Sequence, residues 1–222
     1  MVEVCASLLA ANYARMGEEV ARATQAGVDS FHFDMMDGHY VPNLALAPDH
    51  LTALRPYTRL PFGIHLELDN PDSVLDDFRP FSADLVIACL DTLADPPRTF
   101  ERIRRLGARA GFSLNPDEAL DRGAGYLHAV DVLLILGVFP GFGGQPMAAD
   151  TPDRVAQAAR LRQDLGLQFK LAVDGGVNLE NTPALLQAGA DVLVIGSALF
   201  GAADMPAFVR QVRAIAAGPR SR

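Results

Sequence analysis

AGADVLVIG, residues 188–196, is a small residue, an aspartate and then an apolar run. The same figure occurs three more times, as AGVDSFHFD (26–34), SADLVIACL (82–90) and AVDVLLILG (129–137). Its aspartates, Asp29, Asp84, Asp131 and Asp191, are separated by 55, 47 and 60 residues. Each interval has room for two strand–helix units. Four further β-like runs, VCASLL (4–9), FGIHLEL (62–68), ARAGFSL (108–114) and FKLAV (169–173), interleave with the repeats, so the echo marks every second strand of eight. These runs are nearly continuous in apolar character, as in parallel strands covered on both faces. Segments of helical period lie between them, among them 14–25, 98–105, 152–165 and 183–187. Gly27, Gly107, Gly166 and Gly189 stand where a helix closes on a left-handed residue. Eight β/α units in 222 residues predict one domain, a (β/α)8 TIM barrel over residues 1–217, near the lower end of that fold's size. The ending GPRSR (218–222) reads as a disordered tail. A doubly wound open sheet is the structural rival, and it leaves the eightfold count unexplained.

Composition narrows the function classes. Lys and Arg number 19 against 27 Asp and Glu, a net charge of −8 and a poor footprint for nucleic acid. Half the residues are hydrophobic, enough for a large core. Two cysteines, Cys5 and Cys89, are too few for a disulfide framework and suit a reducing cytoplasm. The start, MVEVCASLLA, carries Glu3 and no basic region before its apolar run, unlike a signal peptide, and no apolar run reaches a membrane span of ~18–20 residues. A cytoplasmic protein acting on small molecules is therefore expected. Lys170 is the only lysine, so any mechanism needing one has a single candidate.

In a barrel, loops after the strands carry the chemistry, whereas residues before them serve stability. Asp29, Asp84, Asp131 and Asp191 precede strands and read as turn caps. Asp34, Asp37 and Asp174 follow strands. His32 and Asp34 are two apart and share a strand face, as do His65 and Glu67. With Asp174 at the head of DGGV, two imidazoles and two carboxylates converge from three strand ends. That set fits one divalent metal ion, Zn²⁺ or Fe²⁺ first, with Mn²⁺ and Co²⁺ also compatible. His39, His50 and His128 fall in loop or helix contexts and read as surface residues.

Glycine clusters close three successive strands: FPGFGGQP (139–146), DGGVN (174–178) and GSALFG (196–201). Glycine lets backbone N–H groups approach an anion, and in such barrels a phosphate site lies after strands 7 and 8. Backbone amides need no lysine, which suits a chain with only one.

Six segments then carry a resemblance: CASLLAANYARMGEEV (5–20), HFDMMDGHYVPN (32–43), HLELDNP (65–71), PGFGGQ (140–145), VDGGVN (173–178) and GSALFG (196–201). In order and spacing they resemble the ribulose-phosphate 3-epimerase family over nearly the whole chain. The resemblance implies a metal-dependent epimerase acting at carbon 3 of a ketose phosphate, of the ribulose 5-phosphate/xylulose 5-phosphate type, through a metal-stabilised enediolate. It assigns His32, Asp34, His65 and Asp174 as metal ligands, with Asp34 as proton acceptor and Asp174 as proton donor. Substrate contacts carry over to Ser7, His65, Gly141, Phe142, Gly143, Gly144, Asp174, Gly175, Gly176, Gly196 and Ser197. A homo-oligomer, dimer or hexamer, is implied as well.

The chain departs from the family near the mouth. Met36 keeps one of the methionines that shield the intermediate, but Glu67 and Leu136 stand at two others. Phe139 replaces a polar residue, and Cys89 stands where a histidine is usual. Leu for Met conserves volume; an acid does not. Glu67 either titrates near the metal, binds a substrate hydroxyl or turns to solvent, and Cys89 has the plain reading of a small buried hydrophobe. Such changes point to a shifted substrate, such as allulose 6-phosphate. Two rivals remain, a Schiff-base aldolase using Lys170 and a sugar-phosphate-binding paralogue without turnover. Barrel decarboxylases using Asp-x-Lys are excluded, since no such pair exists here.

Overall fold

The computed structural model describes residues 2–75 and 83–218. The tail read at 218–222 lies, from residue 219 onward, outside them, as does Ser82 of the second repeat. Eight parallel strands form the barrel: β1 (Glu3–Ser7), β2 (Ser30–Asp37), β3 (Phe62–Glu67), β4 (Leu85–Cys89), β5 (Arg109–Leu114), β6 (Val132–Leu136), β7 (Lys170–Asp174) and β8 (Val192–Ile195). Each pairs with its neighbour in sequence, and β8 pairs back to β1, closing the sheet. Helices α1 (Met16–Ala26), α2 (Pro48–Leu54), α3 (Pro96–Arg105), α4 (Asp121–Ala124), α5 (Thr151–Asp164), α6 (Thr182–Ala188), α7 (Ser197–Phe200) and α8 (Met205–Ala217) cover its outside. This is the expected single-domain TIM barrel, with strand ends displaced by a residue or two. One element goes unannounced by the sequence. Leu44–Ala45 pairs antiparallel with Met36 and Asp37, so β2 continues as a short ribbon above the rim.

The strands read as continuous apolar runs because they feed two cores. Side chains of one parity, including Cys5, Ile87, Val132, Leu134, Leu136, Ala172, Val192 and Val194, fill the barrel. Those of the other parity, including Phe31, Phe33, Phe62, Ile64, Leu66 and Phe112, pack outward among the helices. Gly27, Gly107, Gly166 and Gly189 all have positive φ, at 90°, 87°, 64° and 109°. Each helix preceding them stops where only glycine adopts the left-handed turn freely.

The four echoed aspartates make one device four times. Asp29, Asp84, Asp131 and Asp191 each donate a backbone N–H to the carbonyl of Val4, Phe62, Ala110 and Leu171, at 2.8, 2.9, 2.7 and 2.8 Å. The carboxylate of each then accepts the N–H of that same residue, at 2.7, 2.8, 2.9 and 2.9 Å. An arginine reaches every one: Arg213 of α8, Arg55 just after α2, Arg104 of α3 and Arg162 of α5 respectively. Each aspartate thus satisfies a strand-starting donor that the sheet leaves unpaired. Asp29→Ala is expected to cost about 1–3 kcal/mol, because Val4 N–H loses its partner at a half-buried position. A denaturant midpoint lowered at constant slope checks this.

Lys170 begins β7 at the opposite end of the barrel from the mouth, where it pairs with Glu3 and is partly in solvent. At ~3.3 Å per residue it sits about 13 Å below Asp174. An amine there cannot attack a carbonyl at the mouth, which removes the basis for the aldolase reading.

Candidate active site

Strand parity and barrel closure bring the chemistry together. Register pairs Asp34 with His65 and Met36 with Glu67, so β2 and β3 present their polar residues side by side. His32 Nε2 lies 3.0 Å from Asp34 Oδ1 and 3.6 Å from Asp174 Oδ2. His65 Nδ1 lies 3.5 Å from Asp34 Oδ1 and 3.3 Å from Glu67 Oε1. His32, Asp34 and His65 are all at most 2% exposed. One ligand atom from each of His32, Asp34, His65 and Asp174 lies within 4.8 Å of the others.

Two ring nitrogens in this cluster, His32 Nε2 and His65 Nδ1, are buried without a properly directed hydrogen bond. Orphaned buried nitrogens facing carboxylates are costly on their own and fit a bound cation. The other nitrogen of His65 is occupied: Nε2 lies 2.9 Å from Ser113 Oγ, whose hydroxyl donates to Cys89 Sγ at 3.4 Å. With Nε2–H donated to Ser113, the tautomer leaves the Nδ1 lone pair toward the cluster, the usual support for a metal-bound imidazole. Ser7 Oγ donates to Asp34 Oδ2 at 3.0 Å and fixes that carboxylate.

The two aspartates are pushed in opposite directions. Burial raises Asp34, but the adjacent imidazoles of His32 and His65 outweigh it and hold the carboxyl well below the usual range. Burial lifts Asp174 to about 6, with Asp34 adding to the rise. Burial works against charge on both histidines, yet Asp34 raises His32, and Cys89 with Asp34 raises His65. Pairs of carboxyls driven apart in this way suit one base and one acid.

The mouth is walled by the glycine loops. Its lining includes Ser7, Asp34, Glu67, Leu136, Phe139, Gly141, Phe142, Gly143, Gly144, Asp174, Gly175, Gly176, Gly196 and Ser197. Gly176 is one position where glycine is required: φ is +70°, and a Cβ would come 2.6 Å from the Met147 nitrogen. Gln145 Nε2 donates to the carbonyls of Phe139 and Phe142, at 2.9 and 2.8 Å, folding the loop back on itself. Asn43 Nδ2 donates to Gly141 O at 2.6 Å and ties that loop to the one after β2.

The sequence of this site now meets known proteins. Residues 3–200 match the model of the ribulose-phosphate 3 epimerase family. The chain belongs to that family. A ribulose-phosphate 3-epimerase of Bacillus subtilis is 34% identical over 214 residues, spanning 96% of this chain and 99% of its own. The chloroplastic ribulose-5-phosphate-3-epimerase of Arabidopsis thaliana is 38% identical over 213 residues, 95% of this chain and 76% of that one. Among solved structures, KGPDC from Streptococcus mutans superposes with a TM-score of 0.73 at 11% identity, covering 97% of each chain. At that identity the likeness speaks for the barrel alone. The family places the chain among the carbohydrate epimerases, a class of isomerase.

Within this epimerase-family site, the expected positions divide. Glu67 does not turn to solvent; it is 4% exposed and lines the mouth. Leu136 is buried in the wall, whereas Phe139 and Phe142 stand at the rim, 55% and 54% exposed. Met36 and Cys89 are buried outside the lining, Cys89 with its Sγ 3.6 Å from His65 Nε2. Asp37, the last residue of the strand that carries Asp34, does not join the cluster. Its carboxylate instead accepts the N–H groups of His39, Tyr40 and Asp69 and shapes the loop. His39, His50 and His128 are exposed, as their contexts indicated. Sequence reading missed Ser113, although a lone hydroxyl in an apolar strand of the right parity is a usable signal. It also missed buried Arg154 of α5, which donates to Leu136 O at 3.0 Å and Asn115 O at 2.6 Å, fastening the ends of β5 and β6. No helix among the described residues is long and apolar enough to cross a membrane.

Proposed function

We propose that the chain inverts carbon 3 of a ketose phosphate, of the ribulose 5-phosphate/xylulose 5-phosphate type, with Asp34 and Asp174 as its acid–base pair. The observation that carries the reading is two carboxyls from separate strands, pushed to opposite ends of their range, beside two orphaned imidazole nitrogens. Inversion next to a ketone requires a proton to leave one face and another to arrive at the opposite face. Asp34, held ionised and steadied by Ser7, takes the proton from carbon 3. Asp174, raised by burial above the usual carboxyl range and so the better proton donor of the two, returns one from the other side. The two exchange roles in the reverse direction. Positioned acid–base groups of this kind contribute ~10²–10⁴-fold each.

Between the two transfers the substrate is an enediolate with charge on its oxygens. His32, Asp34, His65 and Asp174 would hold a divalent ion, which would supply positive charge against those oxygens; the His₂Asp₂ set suits Zn²⁺ or Fe²⁺, with Mn²⁺ and Co²⁺ compatible. The backbone N–H groups of Gly176, Gly196 and Ser197, with the 141–144 loop in the same wall, take the phosphate, while Gly175 N–H is donated to Asp174 Oδ1 at 2.7 Å. Binding energy gathered there fixes carbon 3 between the carboxyls.

Incubating the purified protein in D₂O with a panel of pentulose and hexulose phosphates tests the reading. Deuterium at carbon 3 accompanied by inversion is expected with ribulose 5-phosphate. A faster hexulose phosphate such as allulose 6-phosphate would move the substrate assignment. Absence of exchange at carbon 3 across the panel would overturn the proposal in favour of a binding paralogue.

A further inference from the structure

Glu67 has no part in the proton transfers, yet it stands inside the same chamber. It is 4% exposed; its Oε1 lies 3.3 Å from His65 Nδ1, and its Oε2 is buried with no hydrogen-bond partner. A buried carboxyl oxygen left unpaired is expensive, so its retention in a binding cavity calls for a donor that arrives with the ligand. Metal coordination does not supply that partner: the four residues whose ligand atoms converge within 4.8 Å do not include Glu67.

The position of β3 indicates which part of a ketose phosphate it meets. In a closed barrel of eight strands, β3 lies across from β7, and the glycine turns that follow β7 and β8 form the opposite wall of the mouth. A ketose phosphate gripped there by its phosphate, with carbon 3 between Asp34 and Asp174, points its other end toward β3. That end is the hydroxymethyl group at carbon 1. We infer that Glu67 is the residue that recognises the carbon 1 hydroxyl, through Oε2; this rests on the epimerase reading above. A hydroxyl both donates and accepts, so it satisfies Oε2 whether or not the carboxyl carries a proton. Glu67 makes the site selective for a ketose ending in CH₂OH over one ending in a methyl group, which would bury Oε2 with nothing to bond.

The test compares D-xylulose 5-phosphate with 1-deoxy-D-xylulose 5-phosphate, reading deuterium uptake at carbon 3 in D₂O as kcat/KM. Because both substrates meet the same protein, their ratio cancels differences in folding or metal content. The wild-type chain is expected to favour the hydroxylated substrate on the order of 10–100-fold, the range of a hydrogen bond to a carboxylate. In Glu67→Leu the ratio is expected to fall to about threefold or less, with Glu67→Gln intermediate, since an amide still pairs with a hydroxyl. Equal wild-type rates for the two substrates would overturn the inference, as would a Glu67→Leu ratio matching that of the wild type. If Glu67→Leu does not fold, an unaltered ratio in Glu67→Met, whose side chain offers the hydroxyl no comparable partner, is decisive in the same way. Wild-type exchange with neither substrate would instead remove the epimerase reading on which the inference stands.

Discussion

Asp174→Asn is expected to lower epimerisation by ~10²–10⁴-fold, the contribution of one positioned proton-transfer group, while some exchange of the carbon 3 proton survives. The asparagine keeps the shape of the side chain at the end of β7 but neither holds nor delivers the proton that must reach the second face. Asp34 is untouched on β2, with Ser7 donating to its Oδ2 and His32 beside its Oδ1. It continues to remove a proton and, having exchanged with solvent, to return deuterium to the face it came from. The expected product is labelled at carbon 3 with its original configuration. Asp174 also belongs to the four-residue cluster, so metal content is measured alongside, to separate lost chemistry from a lost ion. Inversion within tenfold of wild type, at equal metal content, would mean that a second acid is not needed and that the paired-carboxyl mechanism is wrong.

Removal of the divalent ion is expected to have the other large effect, on stability as well as on turnover. A ligand present at 1,000 times its dissociation constant stabilises the folded state by about 4.1 kcal/mol. At roughly 2–4 °C per kcal/mol for a chain of this size, chelation lowers Tm by about 8–16 °C, and adding Zn²⁺ or Fe²⁺ restores it. The gain depends on pH with a definite sign. Burial raises Asp174 to about 6, so below that pH it takes up a proton that the ion must displace. His32 and His65, both raised by neighbouring groups against the effect of burial, add protons to the same competition. Asp34, held low, stays ionised throughout. Affinity therefore falls by about tenfold per pH unit for each displaced proton, first as pH drops through the range above 6.5 to which the two imidazoles are raised, then through about 6 as Asp174 takes up its own. Differential scanning of chelated and metal-loaded protein from pH 8 to pH 5 checks this, and a Tm indifferent to the ion at pH 8 would remove the metal centre from the mechanism.

The four-aspartate repeat shows how a one-dimensional pattern comes to encode a three-dimensional device. The spacing of Asp29, Asp84, Asp131 and Asp191 was readable as an eight-strand count with caps at the stable end. Their arginine partners were not, because Arg213 and Asp29 are 184 positions apart and meet only when α8 packs against α1. The same divide runs through the mouth. Alternation along β2 and β3 placed His32 with Asp34 and His65 with Glu67, and the glycine clusters marked the loops that wall the mouth. Alternation says that a side chain points inward; it does not say how far along the axis its neighbours lie.

The chain alone determined the eight strands, their parallel order, which residues face the barrel axis and which end carries the chemistry. All of these follow from local periodicity and from turns that only certain residues make. Tertiary structure alone decided that Ser113 and Cys89 back His65, that Asp37 is diverted to the loop, that Lys170 is bound to Glu3 far from the mouth, and that Glu67 is enclosed with a free oxygen. Those facts depend on the stagger between strands as the sheet closes, which sums small offsets around the whole ring and is written in no single segment.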